Sequence, residues 1–119
     1  MSMLESPELD PEDAKIVTLA RSARARSDRH EGAAVRDSDG RTYVGTTVTL
    51  ASLELSALQV AVAMAVSSEA PGLEAAAVVG TADRLMSGDL AVLRELGGPD
   101  LPVLLAGPDG AVREVTRPG

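Results

Sequence analysis

The chain has 119 residues, enough to bury one core and too few for two. Charged residues make up 24% and hydrophobic ones 45%, a globular composition that excludes global disorder. The net charge of −7 repels phosphate backbones, so no nucleic-acid partner is expected.

Tyr43 is the single residue of the Phe, Trp and Tyr group, so the core has to be built from Leu, Val, Ala and Met. The same shortage removes the rings on which a base or nucleoside would stack. With no cysteine, neither a disulfide nor a thiolate metal site can form. Residues 1–13 are acidic and contain proline, with no basic n-region or apolar h-region, so no signal peptide is expected. No apolar stretch reaches membrane-spanning length. A cytoplasmic protein without a membrane partner is the expectation.

Residues 1–9 are expected to be a flexible tail and residues 10–119 one domain. Asp10-Pro11-Glu12-Asp13 starts a helix, with Asp10 as cap, Pro11 at the first helical position and acids complementing the dipole. Ala14, Ile16, Val17, Leu19, Ala20 and Ala23 give it an apolar stripe to about Arg26. Residues 32–36 and 41–50 read as two antiparallel strands around the turn Asp37-Ser38-Asp39-Gly40. Ser52 is expected to cap a second helix from about Leu53 to Ser67, which carries no charge after Glu54 and is apolar nearly all round. Such a helix should be buried on more than one side.

Residues 75–79 form a short apolar strand suited to a parallel sheet. Ser87 is expected to cap a third helix through Leu96, stopped by Gly97-Gly98. Residues 101–105 form another apolar strand, and residues 111–116 return after Gly107-Pro108-Asp109-Gly110 as an antiparallel edge. That turn lacks the glycines and the Lys-Ser/Thr of a phosphate loop. There is no internal repeat and no low-complexity segment. The order α-β-β-α-β-α-β-β predicts an α/β domain with a hairpin at each end of a five-stranded mixed sheet and about three helices.

This order, and the residues within it, resemble the small cytidine deaminase family. Glu31-Gly32-Ala33-Ala34-Val35 is similar to the family's VGAAL, and Asp39-Gly40-Arg41, Val48 and Ala51-Ser52 follow in register up to its NVENAS. Residues 56–69, SALQVAVAMAVSSE, stand where the family has CAERTAIFKAVSEG, and residues 92–97, VLRELG, match its VLREFG. The resemblance covers residues 12–116 and implies a three-layer cytidine deaminase-like fold. It also implies homo-oligomers assembled through the helix at 53–66.

The departures bear on function. In the family, CAE and PCxxC put three thiolates on zinc, and a glutamate shuttles the proton for attack on the ring. The resemblance places Ser56 at the first cysteine, Leu58 at the glutamate, and Met86 and Asp89 at the other two cysteines, with Leu85 at the proline. Two residues are missing between Ser52 and the helix. The family's ribose-binding Asn and Glu fall on Thr47 and Thr49, its Phe near Arg29, and its C-terminal helix has no counterpart.

Three clusters have alternative readings. Asp89 with Ser56, Ser87 and His30 offers a replacement metal site, against which Ser87 and Asp89 simply begin a helix, as one His and no Cys favour. Arg21, Arg24, Arg26, Arg29 and His30 form either an anion patch or, as we favour, a solvated helix end. Ser56 as a nucleophile would need His30 as its base, and a small packing residue is the preferred reading.

The expectation is therefore a cytidine deaminase-like protein without catalytic residues, substrate-binding residues, metal or cofactor. It would act as a homo-oligomer with an unidentified protein partner. The alternative is a zinc-independent enzyme or small-ligand binder using the remodelled pocket. A closed apolar cavity at Ser56, Leu58, Met86 and Asp89 would favour the first, and an open cleft with converging polar groups the second.

Overall fold

The computed structural model describes residues 9–27, 29–82 and 84–119. Of the tail expected at 1–9, residues 1–8 therefore lie outside the described residues, and Leu9 packs against the core. Helix α1 spans Pro11–Ser27, its start fixed by Asp10, whose carboxylate accepts the Glu12 N–H at 2.8 Å. Strands β1 (Glu31–Asp37) and β2 (Thr42–Thr46) form the first hairpin.

Asp37 is buried at the turn of this hairpin. Its Oδ1 accepts the N–H groups of Asp39 and Arg41, both at 2.9 Å, and its Oδ2 accepts the Tyr43 hydroxyl at 2.8 Å. Burial pushes this carboxyl up, but the Tyr43 hydroxyl and the two amides outweigh it and hold it below the ordinary value. The contribution to stability is thus present at neutral pH and lost as pH falls through the lowered value. The one aromatic ring is engaged in tying down a turn.

The strand expected over 41–50 ends at Thr46, and the segment up to the next helix differs from expectation. Val48–Thr49 (β3) pairs antiparallel with Glu54–Leu55 (β4), closed by Leu50 N–H to the Leu53 carbonyl at 2.9 Å. Helix α2 consequently begins at Ala57 and runs to Ser67, capped by Ser56 rather than Ser52. The reason is a reciprocal capping box: Gln59 N–H donates to Ser56 Oγ at 3.0 Å, and Ser56 N–H donates to Gln59 Oε1 at 2.9 Å.

Strand β5 covers Leu73–Gly80, longer than the expected 75–79. Helix α3 is Ser87–Gly97, with Met86 at the cap position in place of Ser87 and no side chain capping it. Gly98, at φ +87°, ends it as expected. Strands β6 (Val103–Ala106) and β7 (Val112–Thr116) make the closing hairpin.

The main sheet has the order β2-β1-β5-β6-β7, with β5 and β6 parallel across the α3 crossover and the other pairs antiparallel. Alternation along each strand splits the core into two layers. Ala34, Ala75, Ala77, Val79, Leu104 and Ala106 meet α1 through Ile16, Val17 and Ala20. Ala33, Val35, Ala76, Val78, Val103 and Leu105 meet α2 and α3 through Leu58, Ala61, Val62 and Leu93. This is the expected three-layer α/β fold. Among the described residues no helix is long and apolar enough to cross a membrane.

Two glycines set the layer spacing. A Cβ on Gly32 would run into the Ala20 carbonyl oxygen of α1, and one on Gly45 would lie 2.7 Å from Ala61 N and 2.8 Å from Ala57 O of α2. Each lets a helix backbone rest directly on a strand. The expectation that α2 is buried on more than one side is not met within the single chain. Ala57, Leu58, Ala61, Val62 and Ala65 face inward, whereas Met64 and Val66 are 52% and 53% exposed.

Candidate functional site

The starts of α2 and β1, the end of β2 and the carboxyl end of β5 meet at one edge of the sheet. Ligands of open α/β sheets bind beyond such strand ends. There the structure has an open cleft of about 480 Å³. Thr47, Val48 and Thr49 form one wall with Glu54 and Leu55 of β4. His30 and Glu31 lead in from β1, Thr81 and Ala82 from the end of β5, and Ser56 and Gln59 stand at the start of α2.

The structure separates the four positions equated with the family's zinc and proton-transfer residues. Ser56 and Asp89 come together: Ser56 Oγ donates to Asp89 Oδ1 at 2.8 Å while accepting from Gln59 N–H. Asp89, in the first turn of α3, is 6% exposed. Met86 turns out into solvent, 74% exposed. Leu58 lies in the core, 1% exposed, and does not line the cleft.

This set does not fit a zinc ion. The Ser56 proton is directed at the carboxylate that would have to be its fellow ligand, the Met86 thioether is a soft donor pointing elsewhere, and one carboxylate is too little. Of the imagined replacement site, His30 shares the cleft with Ser56, whereas Ser87 is exposed and outside it. Among the described residues no group of three His, Asp or Glu side chains is placed to hold a metal.

What Ser56 and Asp89 accomplish is a bridge between α2 and α3. We predict that Ser56→Ala destabilises the fold by about 2 kcal/mol, from loss of a cap and of a hydrogen bond to a buried charge. Asp89→Asn retains an acceptor for Ser56 and should cost less. Urea unfolding of the two variants checks the order.

The carboxylates around the cleft escaped the sequence reasoning. Glu31 replaces the apolar first residue of VGAAL, which was the available signal, and Glu54 sits in the unanticipated β4. Burial pushes the Glu31 carboxyl above its ordinary value; the Asp89 charge adds to this and His30 opposes it. Thr47 and Thr49 line the cleft. From the basic run, Arg24 Nε donates to the His30 carbonyl at 3.0 Å and ties the end of α1 to the chain leading into β1.

A five-stranded sheet between two helical layers, with a cleft at converging helix and strand ends, defines the class, a three-layer α/β protein. A family model for cytidine deaminase-like proteins matches residues 9–110. The chain belongs to the cytidine deaminase-like family.

The crystal structure of cytidine deaminase from Burkholderia pseudomallei is similar at 29% identity, with a TM-score of 0.76, over 88% of this chain and 91% of that one. That from Mycobacterium tuberculosis matches at 26% identity and a TM-score of 0.69 over 92% and 93% of the two chains. The Mycobacterium leprae enzyme, at 24% identity and a TM-score of 0.66 over 83% and 89%, shares the fold. No curated protein matches the chain.

Proposed function

We propose that this protein is a cytidine deaminase relative without zinc-dependent deaminase activity, acting as a homo-oligomer through protein contacts. The observation that carries the reading is the Ser56–Asp89 hydrogen bond. Two positions equated with zinc thiolates are joined to each other by this bond, between the start of α2 and the first turn of α3, in place of a shared ion. Hydrolytic deamination needs hydroxide at neutral pH, which a zinc ion supplies by lowering the pKa of bound water to about 7. Leu58, where the family has its glutamate, carries no proton to move and is turned into the core.

Purified and extensively dialysed protein should contain far less than one zinc per chain and leave cytidine and deoxycytidine unchanged. Elemental analysis beside an absorbance assay checks this. A full zinc complement together with turnover overturns the reading.

The contact surface we assign is the outer face of α2 around Met64 and Val66, apolar and without a charge on the helix. Light scattering at about tens of micromolar should give a dimer or tetramer, as an interface of standard size would hold there. A monomer would remove this part of the proposal.

One observation favours a second reading, a small-ligand binder. The cleft is open, and Glu31, Glu54, Ser56 and three threonines stand around it beside Val48, Leu55 and Ala82.

A further inference from the structure

The structure assigns β2 as a pairing edge for β2 of a second copy, running antiparallel about a two-fold axis at Val44 and joining the two sheets into one. This inference rests on the homo-oligomer reading and gives that assembly a register. Strands β2 and β7 are the outer strands of the main sheet. Outer strands leave backbone groups unpaired, and folded proteins guard them with charges, proline or bulges. Strand β7 is guarded in this way, by Arg113 and Glu114 and by a register shift against β6. Strand β2 is not: Thr42-Tyr43-Val44-Gly45-Thr46 carries no charge and no proline and follows β1 in unbroken register.

The turn decides which backbone groups of β2 are free. Asp37 N–H donates to the Arg41 carbonyl at 2.8 Å, and hydrogen-bonded pairs alternate along an antiparallel ladder. Tyr43 and Gly45 therefore bond toward Val35 and Ala33 of β1, while Thr42, Val44 and Thr46 turn N–H and C=O outward. Val44 and Thr46 line an open groove of about 380 Å³, bordered by Ala23 and Arg26 of α1 and Val60 of α2.

A second copy fits this edge. Antiparallel pairing centred on Val44 sets Thr42 of each copy against Thr46 of the other, so the outward groups at 42, 44 and 46 meet one another. Threonines opposite each other stabilise a strand pair, and no like charges are opposed between the two strands. Helix α1 adds charge complementarity. It starts beside the Thr42 end of β2, where Asp13 reaches Arg36, and finishes at the Thr46 end, where Arg26 lines the groove. The two-fold sets the acidic first turn of one α1, Glu12 and Asp13, toward the basic last turn of the other, Arg24 and Arg26. On the other face, α2 lies over β1 and β2, with Val60 at the groove and Ala63 and Met64 one turn further along the same stripe. Pairing of the strands brings the two stripes together and covers apolar surface, including the 52% exposed Met64, that a lone chain leaves in water.

The test is amide hydrogen exchange of the full chain on both sides of the concentration at which light scattering shows the oligomer dissociate. Expected is exchange about tenfold slower over residues 42–46 in the oligomer than in the dissociated chain, with residues 112–116 of β7 unchanged. Because the chain has no cysteine, Val44→Cys places a single reporter at the axis. Hydrogen-bonded antiparallel partners have Cα atoms about 5.5 Å apart, within disulfide range, so oxidation with diamide should link two copies there. Val115→Cys, at an exposed position of β7, should stay unlinked. An oligomer in which residues 42–46 exchange as in the dissociated chain, or in which Val44→Cys stays unlinked, would overturn the inference and leave the homo-oligomer reading standing. Linkage through Val115→Cys in place of Val44→Cys would overturn it in favour of β7. A monomer at about tens of micromolar would overturn both the inference and the reading beneath it. Should Val44→Cys fail to fold, exchange in the unaltered protein decides the matter.

Discussion

Leu58→Glu should lower the stability of the fold by about 4 kcal/mol and bring no deaminase activity, although it introduces the residue type that the resemblance equates with this position. Leu58 is 1% exposed and packs in the layer between the sheet and the two helices α2 and α3. The substitution removes a buried apolar side chain and puts a carboxyl where no cation stands to pair with it. On a domain of this size the midpoint should fall by on the order of 15 °C.

The deficit should also depend on pH. Burial raises the folded-state pKa of the introduced carboxyl above its unfolded value. The ionisation part of the deficit is therefore absent below the unfolded value, near 4.3, and grows as pH rises toward the folded one. Thermal unfolding of the variant and the parent at about pH 4 and pH 7.5 measures both effects. An unchanged midpoint at neutral pH would mean that Leu58 faces the cleft after all.

Much of the architecture was legible because it depends on local rules. Gly40 and Gly98 mark a turn and a helix stop that only positive φ permits, and both stand where expected, at φ +88° and +87°. The short continuous apolar runs at 75–79 and 101–105 identified the buried strands, with ends displaced by two residues or fewer. The start of α2 was misplaced although its signal was present. Ser56-Ala57-Leu58-Gln59 is a capping box, whereas Ser52 has Leu55 three residues on and no such partner. Treating Leu53 to Leu55 as helix concealed the β3–β4 pair, and with it the wall that carries Glu54 into the cleft.

The site was legible only where the resemblance supplied coordinates. Thr47, Thr49 and Ser56 line the cleft because the fold puts those positions there, whatever residues occupy them. What Ser56 does now could not be read from spacing. Its partner Asp89 is 33 residues away, and an aspartate in the first turn of a helix is fully accounted for by the helix dipole until the side chain is seen turned toward Ser56. Glu31 was passed over for a related reason. It stands inside a run that matches as scaffold, and only burial beside Asp89 gives its charge a consequence.

Gly32→Ala should destabilise the protein by about 3 kcal/mol, the upper end of what overpacking usually costs, for the addition of one methyl group. The added Cβ would collide with the Ala20 carbonyl oxygen and lie 2.8 Å from the Arg24 amide nitrogen. Both are backbone atoms of α1, so no rotamer change relieves the contact. Helix α1 would have to lift from β1, opening the layer that Ile16, Val17 and Ala20 fill against Ala34, Ala77 and Val79. Because β1 also leads directly from Glu31, the same displacement would disturb the cleft, joining a packing change on one face to the site at the strand end. Gly88→Ala is the matched control. Gly88 is exposed in α3, and a Cβ there meets nothing nearer than Gln59 Nε2 at 3.9 Å. Exchanging glycine for alanine within a helix should raise stability by about 0.5–1 kcal/mol. Urea unfolding of the two variants should move the midpoint in opposite directions, and a Gly32→Ala midpoint equal to the parent's would show that α1 does not rest on β1 as closely as the structure has it.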